Sequence, residues 1–275
     1  MQPFAPYIQS VVRIVAGLMF VQHGLEKLFG FAGARPEPTL WAIRGVGGIL
    51  ETVGGPMLAL GLFTRPIAFI LSGEMAVAYF RSWAPRGFFP IANGGEEATL
   101  NAYIFLWLVA AGAGAWGIDV LIEKRRGIGP FVRRLASWEP HLRSIMRVIL
   151  GFLITLHGCR KLFDVLEPVA GRRSFAVDAL PAFTGYLDLI GGVLMMLGVF
   201  VRPTALVLSL EALLAYVFIA QPRTLWPIRN GGIEALLYFV VFLYFAAAGA
   251  GAWSLDGRVE RRRLPSAAWQ RSATP

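Results

Sequence analysis

Apolar residues run along this chain in about eight long stretches, near residues 8–29, 40–62, 66–82, 97–117, 143–163, 183–201, 203–220 and 233–253, divided by short polar turns. Several come close to the roughly 20 residues that a helix needs to cross a bilayer. They are uniformly apolar, so they do not suit the alternating strands of a membrane barrel. Lipid tolerates a spanning backbone only when its hydrogen bonds close within the protein. The pattern predicts an all-α integral membrane protein with eight transmembrane helices. The first stretch lacks a basic residue before Arg13 and a small-residue cleavage site, and it recurs later in the chain. It is therefore expected to be retained rather than removed as a signal peptide.

That recurrence organises the chain. Sliding the sequence along itself lays His23 to Phe29 (HGLEKLF) on His157 to Phe163 (HGCRKLF), and Arg13 on Arg147. A slightly longer shift lays Glu51 on Asp188, Gly54-Gly55 on Gly191-Gly192, Arg65-Pro66 on Arg202-Pro203, and Glu74 on Glu211. It continues through Asn93-Gly94-Gly95 on Asn230-Gly231-Gly232, Glu97 on Glu234 and Asp119 on Asp256. Four crossings return the chain to its starting side, so the copies share one orientation, as two parallel fused four-helix bundles. The expected division is a first four-helix unit over 1–119, a basic linker over 120–142, a second unit over 143–256 and a basic tail over 257–275.

Composition agrees with the pattern, at 56% hydrophobic and 16% charged residues and a mean hydropathy of +0.59. The net charge of +9 comes largely from clusters beside the apolar stretches: Lys124, Arg125, Arg126, Arg133 and Arg134 in the linker, and Arg258, Arg261, Arg262, Arg263 and Arg271 in the tail. Basic residues in short flanking loops face the cytoplasm, which places both termini there, in a bacterial cytoplasmic membrane. The same clusters are explained by topology and anionic lipid, so no nucleic-acid partner is expected. Cys159 is the single cysteine. An internal disulfide, a thiolate zinc site, a cysteine-ligated iron–sulfur cluster and a covalently attached haem are all excluded.

The candidate chemistry lies in ionisable residues inside the apolar stretches, each of which must be paired or reach water. His23 and Lys27 lie one helical turn apart on one face, a pair repeated as His157 and Lys161. Glu51 and Glu74 fall near the middle of their stretches, and charge balance pairs one of them with Arg13. Glu97 could face the His23/Lys27 pair across the bundle. Ligation of a haem b by His23 and His157 stays open, as does a purely structural role for the buried pairs. Gly45, Gly47, Gly48, Gly54 and Gly55, with Gly112/Gly114 and Gly249/Gly251, are expected to form close-packing helix faces.

The run R-x9-H-G-x-x-K-L-F from Arg13 to Phe29, then E-x2-G-G from Glu51 and L-G-x-F-x-R-P from Leu60 to Pro66, then a mid-span Glu74, resembles the DoxX/DoxD family of four-helix membrane proteins. The resemblance covers most of the chain, as two tandem copies. It implies similarity to the large subunit of a thiosulfate:quinone oxidoreductase and to membrane partners of redox complexes. By that resemblance His23, Lys27, Glu51, Glu74 and Arg13 are candidate catalytic residues. His23, Lys27, Glu97, His157, Lys161, Asp188 and Glu211 are candidates for binding a quinone or a small oxyanion. Partners are then the lipid bilayer, quinone, and other subunits or further copies of the chain. A non-catalytic scaffold subunit is the alternative, and a transporter is disfavoured by the absence of broken stretches. The first copy keeps more polar groups: Glu26, Arg44, Glu96 and Asn101 align with Arg160, Pro181, Ile233 and Tyr238.

Overall fold

A computed structural model describes residues 2–166 and 181–258, and no strand occurs among them. The α-helices are α1 (Ala5–Phe29), α2 (Ile43–Leu60), α3 (Thr64–Ala78), α4 (Pro90–Asn93), α5 (Glu96–Ala111), α6 (Ile118–Arg126), α7 (Pro130–Ala136), α8 (Glu139–Phe163), α9 (Thr184–Leu197), α10 (Val201–Ala215), α11 (Pro227–Asn230) and α12 (Ile233–Ala248). A π-helical turn prolongs α3 through Tyr79–Trp83, and another prolongs α10 through Tyr216–Ala220. In the first copy α1 packs on α2, α2 on α3 and α3 on α5; α8, α9, α10 and α12 repeat that order. The copies meet where α1 lies against α12 and α5 lies against α8 and α12.

Small residues set the closest contacts. A methyl group added to Gly24 of α1 would lie 2.3 Å from Thr52 Oγ1 of α2, and one added to Gly55 would lie 2.8 Å from the Gly17 carbonyl oxygen. Gly158 and Gly151 hold α9 to α8 in the same way. In lipid such packing matters because apolar burial between helices gives little drive of its own.

Only part of the length expected of the apolar stretches is realised as helix. Among the described residues, three helical segments are long and apolar enough to cross a membrane, Gln2–Phe29, Pro130–Phe163 and Val201–Ala220; Thr184–Leu197 and Ile233–Ala248 are apolar but shorter. α5 and α12 end early because Gly112 (φ 78°), Gly114 (φ 79°), Gly249 (φ 84°) and Gly251 (φ 86°) take left-handed backbone. A side chain at these glycines would strain the backbone, and Gly114 and Gly251 also give the close packing expected of them, since an added methyl would lie 2.4 Å from Ser10 Oγ of α1 and 2.4 Å from Ser144 Oγ of α8. The linker is also not plain loop: it carries α6 and α7, and α8 already begins at Glu139. Of the basic tail, residues 259–275, with Arg261, Arg262, Arg263 and Arg271, lie outside the described residues.

The expected pairing of Arg13 with Glu51 or Glu74 is overturned. Arg13 is fully buried, but its Nε donates to the Ala113 carbonyl at 2.9 Å and its terminal nitrogens donate to the carbonyls of Leu58, Ala59 and Trp116. Arg147 repeats this on Ala250, Met195, Met196 and Trp253. The last carbonyls of a helix carry its negative end, each keeps a lone pair to spare, and a guanidinium offers five donors in one plane. At the same end of the bundle Asp119 accepts from the amides of Phe63 (2.9 Å) and Thr64 (2.7 Å), capping α3, and Asp256 does the same for Phe200 and Val201. Arg13 therefore closes the end where the chain begins, about 20 Å along α1 from Lys27.

Candidate functional site

The other candidate residues of the first copy gather at the opposite end of the bundle. His23, Glu26 and Lys27 lie on the last two turns of α1, Glu51 in α2, Glu74 in α3 and Glu97 in the first turn of α5. Lys27 Nζ is 2.6 Å from Glu51 Oε1, and His23 Nε2 is 2.5 Å from Glu97 Oε1, with Glu26 Oε2 3.8 Å from the other ring nitrogen. Lys27 can reach a carboxylate well inside α2 because α2 begins beyond the end of α1. Gly48 lies against Lys27 and Leu28, and Thr52 against Gly24.

Gly47 makes room for the third acid. A methyl group there would lie 2.9 Å from Glu74 Oε1 and 3.7 Å from Lys27 Nζ, so its absence lets Glu74 come in beside Glu51 and Lys27. Glu51 Oε2 and Glu74 Oε2 are both buried with no hydrogen-bond partner. An unmet buried polar atom costs about 1–3 kcal/mol, more when charged, so these oxygens favour a proton or a ligand donor. A shallow apolar crevice of about 160 Å³ runs between α2 and α3, lined by Ile49, Leu50, Val53, Ile67, Ile70 and Leu71.

The second copy builds a related cluster. Lys161 Nζ is 2.7 Å from Asp188 Oδ2, 3.4 Å from Glu211 Oε1 and 2.9 Å from Thr184 Oγ1, and Glu211 Oε2 has no hydrogen-bond partner. His157 Nε2 lies 2.7 Å from Glu96 Oε1, a carboxylate contributed by the first copy, and the Tyr238 hydroxyl donates to the same oxygen at 2.5 Å. Arg160 also donates to the Ile91 carbonyl of the first copy, at 2.7 Å.

Of the residues singled out in the sequence, the structure brings together His23, Lys27, Glu51, Glu74 and Glu97 in one copy, and His157, Lys161, Asp188 and Glu211 in the other. It leaves Arg13 out. Sequence reasoning missed Glu26, Glu96, Thr184 and Tyr238. Glu96 was legible only as a polar group of the first copy that aligns with Ile233, with no sign of the histidine it would meet. Among the described residues no group of three or more His, Cys, Asp or Glu side chains is placed to hold a metal ion. Haem ligation by His23 and His157 would require both rings to give up the carboxylates now at Nε2. In the first copy the carboxyls of Glu26, Glu51, Glu74 and Glu97 surround His23 and Lys27, with Arg44 acting on Glu26. Glu97 and Glu51 already pair with the two cations, which leaves an acid free to take and give a proton and suits a neutral molecule that exchanges protons.

Comparison with known proteins matches the DoxX family over residues 8–82 and 142–221. An uncharacterised protein of Haemophilus influenzae is 46% identical over 129 residues, covering 43% of this chain and 93% of that protein. An uncharacterised membrane protein of Mycobacterium tuberculosis is 24% identical over 131 residues, covering 42% of this chain and 80% of its own length. Each relative is thus about as long as a single copy. No solved structure matches the chain.

Proposed function

The chain belongs to the DoxX family of membrane proteins, with its unit present twice, and from that membership we propose that it is a subunit of a quinone-linked membrane oxidoreductase. In this reading α1, α2, α3, α5, α8, α9, α10 and α12 all lie in a bacterial cytoplasmic membrane as two fused four-helix bundles. The termini are cytoplasmic and the His/Lys clusters lie toward the outer side. Other subunits or further copies of the chain complete the complex.

The observation that carries the proposal is the surplus of buried acid oxygens beside a lysine, with Glu51 Oε2 and Glu74 Oε2 unpartnered. A carboxyl in that position can donate to a quinone carbonyl when protonated and accept from a quinol hydroxyl when ionised, which is the task of a group that moves protons. Lys27 holds one negative charge in place, and His23 with Glu97 offers a second exchangeable proton nearer the helix ends. The apolar crevice between α2 and α3 suits a prenyl tail. The quinone, when bound, supplies the two-electron chemistry; the side chains bind, orient and hold protons. Because the acids already neutralise His23 and Lys27, a quinone fits better than thiosulfate or another small oxyanion.

Organic extraction and mass spectrometry of protein purified in native lipid tests the proposal, run beside a Glu51→Gln, Glu74→Gln double variant. Quinone in the parent that is depleted from an equally stable variant supports it, and a parent that carries no quinone overturns it. A second reading, a non-catalytic scaffold subunit, is favoured by His23 and Lys27 already having partners within the chain. Under that reading the double variant weakens assembly of the complex without a selective loss of turnover.

A further inference from the structure

The two copies differ most where their clusters face α5 and α12. In the second copy the Tyr238 ring stacks on Phe242 (centroids 5.6 Å apart, planes at 11°) and meets His157 edge-on at 6.1 Å. Its hydroxyl donates to Glu96, the carboxylate that also holds His157. A hydroxyl-bearing aromatic ring thus lies beside a histidine with its hydroxyl on an acid. The first copy's equivalent of Tyr238 is Asn101, and the second copy's equivalent of Glu96 is Ile233, so neither the phenol nor the cross-copy acid is reproduced for His23. Phe20 supplies the edge-on ring, 6.4 Å from His23, but it brings no hydroxyl. Asn101 is 1% exposed and its Oδ1 has no hydrogen-bond donor. Asn101 lies one turn beyond Glu97, so both share the α5 face that meets His23.

Access differs in the same sense. The side chains of His23 and Lys27 are 20% and 23% exposed, against 0% and 3% for His157 and Lys161.

We infer that the first copy alone takes an external ligand, a neutral aromatic molecule whose hydroxyl is positioned by Asn101 Oδ1, and that the Tyr238 phenol is the built-in substitute closing the second copy. The ligand class rests on the quinone reading above, whereas the confinement to one copy does not.

The test labels the detergent-solubilised full chain with dicyclohexylcarbodiimide, a lipid-soluble reagent that adds to protonated carboxyl groups, and maps the adducts by peptide mass spectrometry. Glu51 or Glu74 is expected to react several-fold faster than Asp188 and Glu211. Tyr238→Asn is expected to raise labelling of Asp188 and Glu211. Asn101→Leu is expected to deplete co-purified quinol, recovered as the quinol or its quinone, while leaving labelling of the first copy and the melting temperature unchanged. Equal labelling of both copies in the wild type overturns the inference, and that contrast decides even if Tyr238→Asn fails to fold. One-sided labelling with no quinone in any preparation supports confinement to the first copy and removes the quinone reading instead.

Discussion

Replacing Lys161 with methionine separates charge from packing in the second copy. Its ammonium is 3% exposed and serves Asp188, which is 1% exposed, together with Glu211 and Thr184. Methionine keeps most of the side-chain volume but strands two acids in a dry site. Breaking a buried pair by removing one partner costs about 3–5 kcal/mol, and replacing a whole buried ionic group by well-packed hydrophobic residues of similar volume is often close to neutral. At about 2–4 °C per kcal/mol for a chain of this size, Lys161→Met should melt on the order of 10 °C lower. The triple variant Lys161→Met, Asp188→Leu, Glu211→Met should return to within about 1 kcal/mol of the parent. Thermal unfolding of all three proteins in one detergent, followed by tryptophan fluorescence, makes the comparison. If the triple variant is no more stable than the single one, the loss comes from packing and the argument from stranded charge is wrong. Lys27→Met should cost less, because Lys27 is 23% exposed and water can reach the acid it leaves.

Further outcomes follow from the same structure. Asp119→Ala removes the cap on the Phe63 and Thr64 amides and should cost about 1 kcal/mol, with faster hydrogen exchange confined to the start of α3; Asp256→Ala should do the same at α10. Gly24→Ala drives a methyl into Thr52 and should cost about 1–3 kcal/mol by pushing α1 from α2. Gly73→Ala, where an added methyl meets nothing within 4 Å, should be neutral or stabilising by up to about 1 kcal/mol in the same melt.

Repeat and helix class were legible because each rests on one-dimensional pattern: apolar runs, and motifs that recur in order. The partner of Arg13 was not. Charge balance nominated a carboxylate, but the groups that bind it are carbonyls at the end of α2 and after α5, which every residue possesses and no letter marks. Lys27 was placed correctly on a shared face with His23. That Glu51 lies within its reach depends on how far α2 overhangs α1, a stagger fixed by Gly24 against Thr52 and Gly48 against Leu28. The link from Glu96 to His157 was hidden for a different reason. It crosses from one copy to the other, and matching copy to copy compares residues that are equivalent rather than residues that touch.

Glu96 and Glu97 are neighbours on one turn of α5, yet each holds a different copy's histidine. Had the two units been separate, identical chains paired by a two-fold axis, any residue installed on one side of the junction would appear on the other as well. A tyrosine at Tyr238 would bring a tyrosine at Asn101, and a glutamate at Glu96 would bring a glutamate at Ile233. Joining the units through α6 and α7 removes that constraint. Each side can accumulate its own substitutions, so one ancestral pocket can become a plug while its twin stays open.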